Sequence, residues 1–425
     1  MTTDATNLDL ELSLCQLLDP AVMADPYPLY TRLRECDPVH WDPFMHAWVV
    51  TSYAEAITVL HRFSGDRAPS QEALEAMGCA ELSPIAQLMA KQMMFLDDAA
   101  HARLRSLMAS VFAPRHVQLL GEGIQEVADR ILDRYVGRHS FDLLTDFAEP
   151  LPTAVAANIL GVPASDSKRL KAWGSNFGKM LGNIHHAAEF TDQIMRSVND
   201  AVAYFSAAIH KLAESPHEGL IHSLLTAEVE GMRLTEDEVV ANCVLFTAGA
   251  QEDITNLIGN GMLTLLRNPD AIMQLAADPS LIPSAVEELL RYESPTQQTT
   301  RVARDDVMLG GKLIRKRQQV IVVLGAANRD PEKFSDPERL DITRKENRHL
   351  AFGWGAHFCL GAMLARAEGQ IALQTLLRRV SNLGLESDQA DWRINLGLRG
   401  LHSLPVRFGA VNEEHHGPSH GSSPA

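Results

Sequence analysis

The feature that most constrains this chain is a stretch of helical periodicity running from Glu236 to Leu266. Apolar residues recur there at three- and four-residue spacing over about 31 residues, or roughly 46 Å at 1.5 Å per residue. This is far longer than the mean helix of a globular protein. Such a helix has to cross a large molecule, so the sequence predicts one continuous fold organised around a central helix.

The middle of this predicted helix places acids among small residues. Gly249 and Ala250 are followed closely by Glu252 and Asp253, inside an otherwise apolar element. Charged side chains are rarely buried without a partner. The pattern therefore indicates a pocket at the centre of the helix, and the alternative is a solvated helix face.

Helical periodicity dominates the rest of the chain as well, and strands are few. The predicted helices are Pro28–Cys36, Tyr53–Leu60, Ala100–Val111, Val117–Tyr135, Ser167–Leu181, Phe190–Glu214, Ile282–Tyr292 and Ala362–Arg379. The predicted strands are HAWVVTS near the start, 307–314 with a turn at Gly310-Gly311, and 319–323. The predicted fold class is therefore mainly α with a small β portion (α+β).

No repeat or linker divides the chain, so we expect a single domain over 21–410. An N-terminal extension over 1–20 precedes it, and a polar tail over 411–425 is expected to be disordered. With a net charge of −16 and no run of Lys or Arg, the composition disfavours nucleic acid as a partner. No secretion signal and no apolar membrane span are visible, which favours a cytoplasmic protein.

The most informative local pattern is LAFGWGAHFCLGAMLARAE, in which Phe352, Gly355, Cys359 and Gly361 have the spacing F-x-x-G-x-x-x-C-x-G. Glycines allow a tight turn, and the helix that follows directs its N–H groups and positive dipole end at the sulfur. We expect that environment to lower the pKa of the thiol and to favour a thiolate ligand. A lone cysteine is more often a buried structural residue, but four matching positions favour the ligand.

This pattern resembles the haem-binding signature of the cytochrome P-450 superfamily, the haem-thiolate monooxygenases. The segments DPYPLYTRLRE and ANRDPEKFSDPERLD also resemble the family's, in its order, so that the resemblance runs from about 25 to 408. It implies the cytochrome P-450 fold, with the long central helix over a haem b (iron protoporphyrin IX) held by the cysteine loop. It also implies that Cys359 is the axial ligand of the iron and that Phe352 packs near the sulfur.

The resemblance assigns further residues to structure and to the haem rim. Glu288 and Arg291 match the family's buried E-x-x-R pair, and Arg339 matches the arginine that joins it; this group stabilises the fold. The residues that match the family's ligands of the haem propionates are His101, Arg105, Arg301 and His349.

The oxygen-activating motif of the family departs from its usual form here. The ungapped register aligns Gly249 and Ala250 with the small-residue pair and Glu252 with the acid, and Asp253 then replaces the usual threonine. A register shifted by one would place Glu252 there instead. Burial next to Glu252 would raise the pKa of Asp253 and let it act as a general acid. Alternatively, Asp253 turns away and water or the substrate delivers protons.

The resemblance also implies a substrate and partners. The implied substrate-contact residues are Met93, Met94, Phe177, Leu245, Thr296 and Leu398, a mostly apolar set. Electrons would come from a separate ferredoxin and its NAD(P)H-dependent reductase.

The expected function is hydroxylation or epoxidation of a hydrophobic small molecule with O₂, in bacterial secondary metabolite biosynthesis. One alternative is an atypical member that performs oxidative coupling, desaturation or peroxide-driven chemistry. Another is a non-catalytic haem-binding or recruitment module.

Overall fold

The computed structural model describes residues 12–76, 78–109, 112, 114–182 and 188–412. The α-helices of these residues are α1 Pro20–Ala24, α2 Tyr27–Cys36, α3 Tyr53–Arg62, α4 Gln71–Ala76, α5 Ser83–Met89, α6 Asp98–Ala109, α7 Pro114–Asp133, α8 Pro150–Leu160, α9 Ser167–Gly182, α10 Ala188–Glu214, α11 Leu220–Thr226, α12 Glu236–Gly249, α13 Glu252–Leu266, α14 Pro269–Ala277, α15 Ile282–Tyr292, α16 Leu324–Ala327 and α17 Ala362–Arg379. The strands are β1 Val39–Asp42, β2 Ala47–Val50, β3 Ser140–Asp142, β4 Gln298–Val302, β5 Val307–Leu309, β6 Lys312–Ile314, β7 Gln319–Val323, β8 Gly384–Leu385, β9 Asp391–Trp392, β10 Leu401–Ser403 and β11 Pro405–Arg407. The predicted fold class, mainly α with a small β portion, is confirmed.

The largest sheet has four strands in the order β1-β2-β7-β4. Only β2 and β7 pair in parallel within it, with Trp48 opposite Val320. The predicted β segments over 307–314 form the hairpin β5–β6, and the predicted turn is present, because Gly310 and Gly311 both adopt positive φ angles, 54° and 75°, and turn the chain back. The remaining strands form a three-stranded sheet, β3-β11-β8, and a pair, β9-β10.

The hydrophobic core has three parts. The largest lies between helices α6 to α15 and α17, and fully buried rings such as Phe147 and Phe205 belong to it. The second lies between α3 and one face of the large sheet, and the third covers the other face with residues of α2 and of the N-terminal segment. Among the described residues, no helix is long and apolar enough to cross a membrane.

Part of the predicted N-terminal extension belongs to this packed domain. Leu14 and Leu17 are buried in the third part of the core, and the Ser13 hydroxyl donates to Asp42 of β1. Residues 12–20 therefore pack against the domain that the sequence predicts from residue 21. Residues 1–11 and the tail from 413 lie outside the described residues.

The predicted helix from Glu236 to Leu266 is broken near its middle into α12 and α13. The Ala250 N–H still donates to the Phe246 carbonyl at 2.9 Å, but the Gln251 N–H donates to Ala248, only three residues back, at 3.3 Å. The periodicity itself did not indicate this break, because the hydrophobic pattern continues through a kink that small residues permit. The break leaves Glu252 and Asp253 in the first turn of α13.

A buried ion network joins α15 to the segment that precedes the cysteine loop. Both Glu288 oxygens accept from Arg291 at 2.8 Å, and both side chains are fully buried. Arg291 also donates to backbone carbonyls, among them that of Asn328 at 3.0 Å. Such a bidentate pair holds its partners in a fixed geometry.

The second arginine of this network is Arg344, and not Arg339 as the sequence suggested. The Arg344 Nε lies 3.1 Å from Glu288 Oε2, and its side chain is 7% exposed. Arg339 contributes only its backbone carbonyl to Arg291, while its side chain is 68% exposed and pairs with Asp341. Because Arg291 binds the Arg339 carbonyl, the Arg339 side chain points outward. The spacing of residues in the sequence does not predict this path of the backbone.

Candidate active site

The cysteine loop connects the buried ion network to helix α17. Gly355 has a φ of 73°, and a Cβ there would lie 3.2 Å from the Leu60 carbonyl, so that only glycine fits. The Cys359 N–H donates to the Phe352 carbonyl at 2.9 Å, and the Gly361 N–H donates to the Cys359 sulfur. The thiol is thereby presented one turn before α17 begins.

The Cys359 side chain faces an internal cavity, so that it is open to a ligand although it is enclosed by protein. The pKa of its thiol is raised to about 11, chiefly by burial and also by the nearby Asp253, and these two causes outweigh the Gly361 N–H, Arg105 and Arg366. The expectation that the loop and the helix terminus lower this pKa is wrong for the protein alone, because burying an anion costs more than those groups return. A bound metal ion would supply the missing positive charge.

The cavity has a volume of about 330 Å³ and lies between the cysteine loop and the broken central helix. Cys359, Phe352 and Gly361 line it on the loop side, and Gly249 and Ala250 line it at the end of α12. A Cβ on Gly249 or Gly361 would meet no protein atom within 4 Å, so both glycines border open space. This arrangement fits a large flat group bound through the sulfur.

Basic side chains line one edge of this cavity, and two of their buried nitrogen atoms have no partner in the described part of the chain. Nε2 of His101 and Nε of Arg301 are buried and have no hydrogen-bond partner among the described residues, and Arg105 lines the same cavity. Unpaired buried donors are costly unless a ligand completes them. This edge fits the two carboxylates of a haem, and the residues present therefore fit the group that the sequence implies.

The structure adds His357 to this edge and does not place His349 there. The His357 ring lines the cavity with its centroid 4.3 Å from that of His101. His349 is outside the cavity lining; its Nε2 lies 3.2 Å from Glu287, and its Nδ1 accepts from the Ala351 N–H at 3.2 Å. The sequence prediction for His349 is therefore corrected to His357, whose position two residues before the cysteine was the available signal.

Asp97 holds His357 in place from behind. Its carboxylate lies 3.4 Å from His357 Nε2, accepts from the Gly65 N–H at 3.0 Å, and also accepts from the Ser64 hydroxyl. Burial opposes the charge, but these hydrogen bonds together lower the pKa of Asp97 to about 2. Burial, with Arg301 and His101 nearby, lowers the pKa of His357 to about 4, so that the imidazole is neutral at pH 7.

The two acids of the central helix diverge. Asp253 lines the cavity and accepts from the Thr296 hydroxyl at 3.1 Å. Burial raises its pKa to about 6, a net value in which the Thr296 hydrogen bond opposes the rise and Glu252 contributes to it. Glu252 lies outside the cavity lining and pairs with Arg393, while Ser175 lies 3.4 Å away.

A second cavity, of about 620 Å³, adjoins the first and shares several lining residues with it. Of the predicted substrate contacts, Met93, Met94, Leu245 and Thr296 line the first cavity, and Met94, Thr296 and Leu398 line the second. Phe177 lines neither and is 1% exposed in the main core, so that its predicted substrate contact is corrected to a packing role. Arg67 lines both cavities, and no sequence pattern singled it out.

Comparisons with known proteins agree with this geometry. The sequence model of the cytochrome P-450 family matches residues 85–391. The chain is 38% identical over 390 residues to the biotin biosynthesis cytochrome P-450 of Bacillus subtilis (strain 168), covering 91% of this chain and 97% of that one.

Two solved structures share the fold closely. The structure of P450BioI in complex with hexadec-9Z-enoic acid ligated acyl carrier protein has a TM-score of 0.86 at 37% identity and covers 92% of this chain and 99% of that one. The structure of the myxobacterial CYP267B1 in complex with myristic acid has a TM-score of 0.85 at 35% identity and covers 93% of this chain and 99% of that one.

Proposed function

Because the chain belongs to the cytochrome P-450 family, we propose that it inserts one oxygen atom from O₂ into an elongated hydrophobic small molecule. It is a monooxygenase with haem b as its cofactor. The observation that carries the proposal is a cavity that Cys359 and Asp253 line together and that adjoins a larger, mainly apolar cavity.

Five side chains hold the cofactor in this proposal. Cys359 binds the iron, while His101, Arg105, Arg301 and His357 bind the two propionates. The unpartnered atoms of His101 and Arg301 support the assignment. Iron held by a thiolate supplies the activation of O₂ on which the reaction depends.

Asp253 supplies protons in this proposal. A pKa of about 6 leaves a minor fraction of the carboxyl protonated at pH 7, and proton exchange is fast when a pKa lies close to the working pH. The Thr296 hydroxyl, at 3.1 Å, orients the carboxyl. The ion pair with Arg393 keeps Glu252 out of this role.

The apolar lining excludes water and selects the substrate. The acyl ligands of the two related structures support long-chain acyl compounds as the first candidates to test. Electrons are proposed to come from a separate ferredoxin and its NAD(P)H-dependent reductase.

The test begins with the purified holoprotein, reduced under carbon monoxide, which should give the long-wavelength absorption band of a thiolate-bound haem. Acyl compounds, steroids and polyketides are then titrated and followed by haem absorbance. Each binder is turned over with isotopically labelled O₂, and the product is analysed by mass spectrometry. A Cys359→Ser variant should lose the long-wavelength band. Products that carry no labelled oxygen would contradict the proposal.

The role of Asp253 has its own test, because the family's usual threonine is absent. Asp253→Asn keeps the shape of the side chain and removes its acidic proton, so that the amount of product formed per electron consumed should fall about tenfold. This loss is smaller than the roughly 100-fold cost of losing a general acid outright, because water in the cavity still carries protons. Glu252→Gln is the matched control. Unchanged coupling in Asp253→Asn would exclude the relay, and full activity with peroxide alone would favour a peroxide-driven enzyme.

A further inference from the structure

The second cavity has a mixed lining in which apolar residues predominate, and it contains two residues that can carry a charge. Among the residues that line it, Arg67 is the only cation and Asp253 the only acid. The electrostatic causes of the Asp253 pKa shift do not include Arg67, and Asp253 already accepts from Thr296. Asp253 therefore does not neutralise Arg67.

The Arg67 guanidinium is held by backbone and by a ring rather than by a carboxylate. Its Nη1 donates to the carbonyls of Gly65 at 3.0 Å and Met94 at 3.3 Å, and its central carbon lies 4.6 Å from the centre of the Phe95 ring. No ion pair joins Arg67 to any described residue. These contacts fix the plane of the guanidinium and leave Nε and Nη2 without an acceptor in the described part of the chain.

The guanidinium is nevertheless charged. Burial and the neighbouring Arg301 lower the pKa of Arg67 to about 9, which still leaves it protonated at pH 7. Arg67, Arg105 and Arg301 all line the first cavity, and a haem brings two carboxylates. Asp97 acts electrostatically on both Arg67 and Arg301, but its ion pairs among the described residues are with Arg304 and His357. Arg67 is the guanidinium that also lines the second cavity, where no ion pair with a described residue holds it.

We propose that Arg67 binds the carboxylate of the substrate, and that this enzyme selects elongated monocarboxylic acids over neutral molecules of the same length. A planar guanidinium with two free N–H groups matches a carboxylate in geometry and charge. The apolar body of the acid lies against Leu74, Ile85, Met89, Met180, Ile194 and Leu398. This inference rests on the proposed function, since it assigns a substrate class to the same site.

The experiment compares decanoate with decan-1-ol on the holoprotein. Both probes are titrated by haem absorbance and, independently, by calorimetry. The wild type should bind decanoate about 10- to 100-fold more tightly than the alcohol, the range expected of a charge-assisted hydrogen bond. Arg67→Gln should remove that preference by weakening decanoate alone. Arg67→Lys should restore part of it, and Arg62→Gln, an exposed control at the end of α3, should preserve it.

Three results would overturn the inference. One is a wild type that binds decanoate no more tightly than the alcohol, including one that binds neither. Another is an Arg67→Gln variant that weakens both probes equally. The third is an Arg67→Gln variant that loses haem but keeps the preference for decanoate, which would mean that Arg67 binds a haem propionate and not the substrate. Because calorimetry needs no haem signal, failure of the thiolate spectrum would count against the proposed function and not against this preference.

Discussion

The buried charges around Glu288 and those around Asp253 differ in how completely the protein pairs them. Glu288 accepts from Arg291, Arg344, the Asn347 amide and the Asp341 N–H. Asp253 has the Thr296 hydroxyl and no ion pair among the described residues. One carboxylate is enclosed by donors, and the other is exposed to a cavity.

The difference separates buried charges that stabilise the fold from buried charges that serve the site. A buried charge with every partner in place contributes to a fixed geometry, and here it joins α15 to the segment that leads into the cysteine loop. A buried charge with few partners destabilises the free protein and is tolerated where a ligand or a proton transfer uses it. Asp253, Arg67 and Arg301 belong to this second kind.

The largest effect expected from this contrast is the loss of the fully paired carboxylate. Glu288→Gln leaves Arg291 and Arg344 without a counter-charge in the interior, which should lower the free energy of unfolding by about 3–5 kcal/mol. Urea unfolding measures it, with the exposed Glu346→Gln as the control. A loss no larger than that of the control would show that the network is not structural.

The second prediction is that removing the charge of Asp253 stabilises the protein, whereas removing the charge of Glu288 destabilises it. Folding raises the pKa of this carboxyl from 3.8 to about 6, so that the folded state holds its proton more tightly than the unfolded state. The resulting stabilisation is complete below pH 4 and is lost as the pH rises through 6. At pH 8, Asp253→Asn should therefore be more stable than the wild type by about 2–3 kcal/mol, and at pH 5 by about half as much.

Urea unfolding of both proteins across this pH range measures the difference. Glu252→Gln is the matched control and should be destabilised at pH 7, because it breaks the ion pair with Arg393. An Asp253→Asn variant that is less stable than the wild type at pH 8 would mean that the carboxylate is fully paired after all.

The sequence predicted the strongly periodic elements and the contiguous motif well. The helices Ile282–Tyr292 and Ala362–Arg379 have the predicted bounds, because their apolar faces pack against the core along their whole length. The loop around Cys359 was predictable because the residues that shape it are adjacent in the chain. In such cases the residues that form the local sequence pattern are also the residues that make the tertiary contacts, so the pattern predicts the structure.

The prediction failed where side-chain direction depends on a distant contact. The choice between Arg339 and Arg344 depends on a backbone carbonyl held by Arg291, and nothing in the spacing indicates it. The break at Gln251 leaves the hydrophobic pattern intact. Arg67 belongs to no motif, and its role depends on two cavities that meet only in the folded chain.

The third prediction tests the correction within the paired network. Arg344→Ala should lower the free energy of unfolding by about 2 kcal/mol, since it removes a charged hydrogen bond to a buried carboxylate. Arg339→Ala should change it by less than about 0.5 kcal/mol, since its side chain forms an exposed ion pair. Chemical unfolding of the two variants side by side decides between them, and a larger loss in Arg339→Ala would restore the sequence assignment.

The smallest expected effect concerns the edge of the cavity. His357→Ala removes an imidazole that Asp97 positions at the cavity edge. A propionate on the other side of the ring would favour its protonated form, in which one N–H group donates to Asp97 and the other to the propionate. Haem should therefore pass from the variant to an apomyoglobin acceptor about tenfold faster, the equivalent of one hydrogen bond to a charged group. His349→Asn should change this rate less, because His349 contacts Glu287 and the Ala351 N–H instead. An equal increase in the rate of haem loss in both variants would mean that His349 also supports the propionates. Residues that do not line the cavity would then contribute to holding the haem.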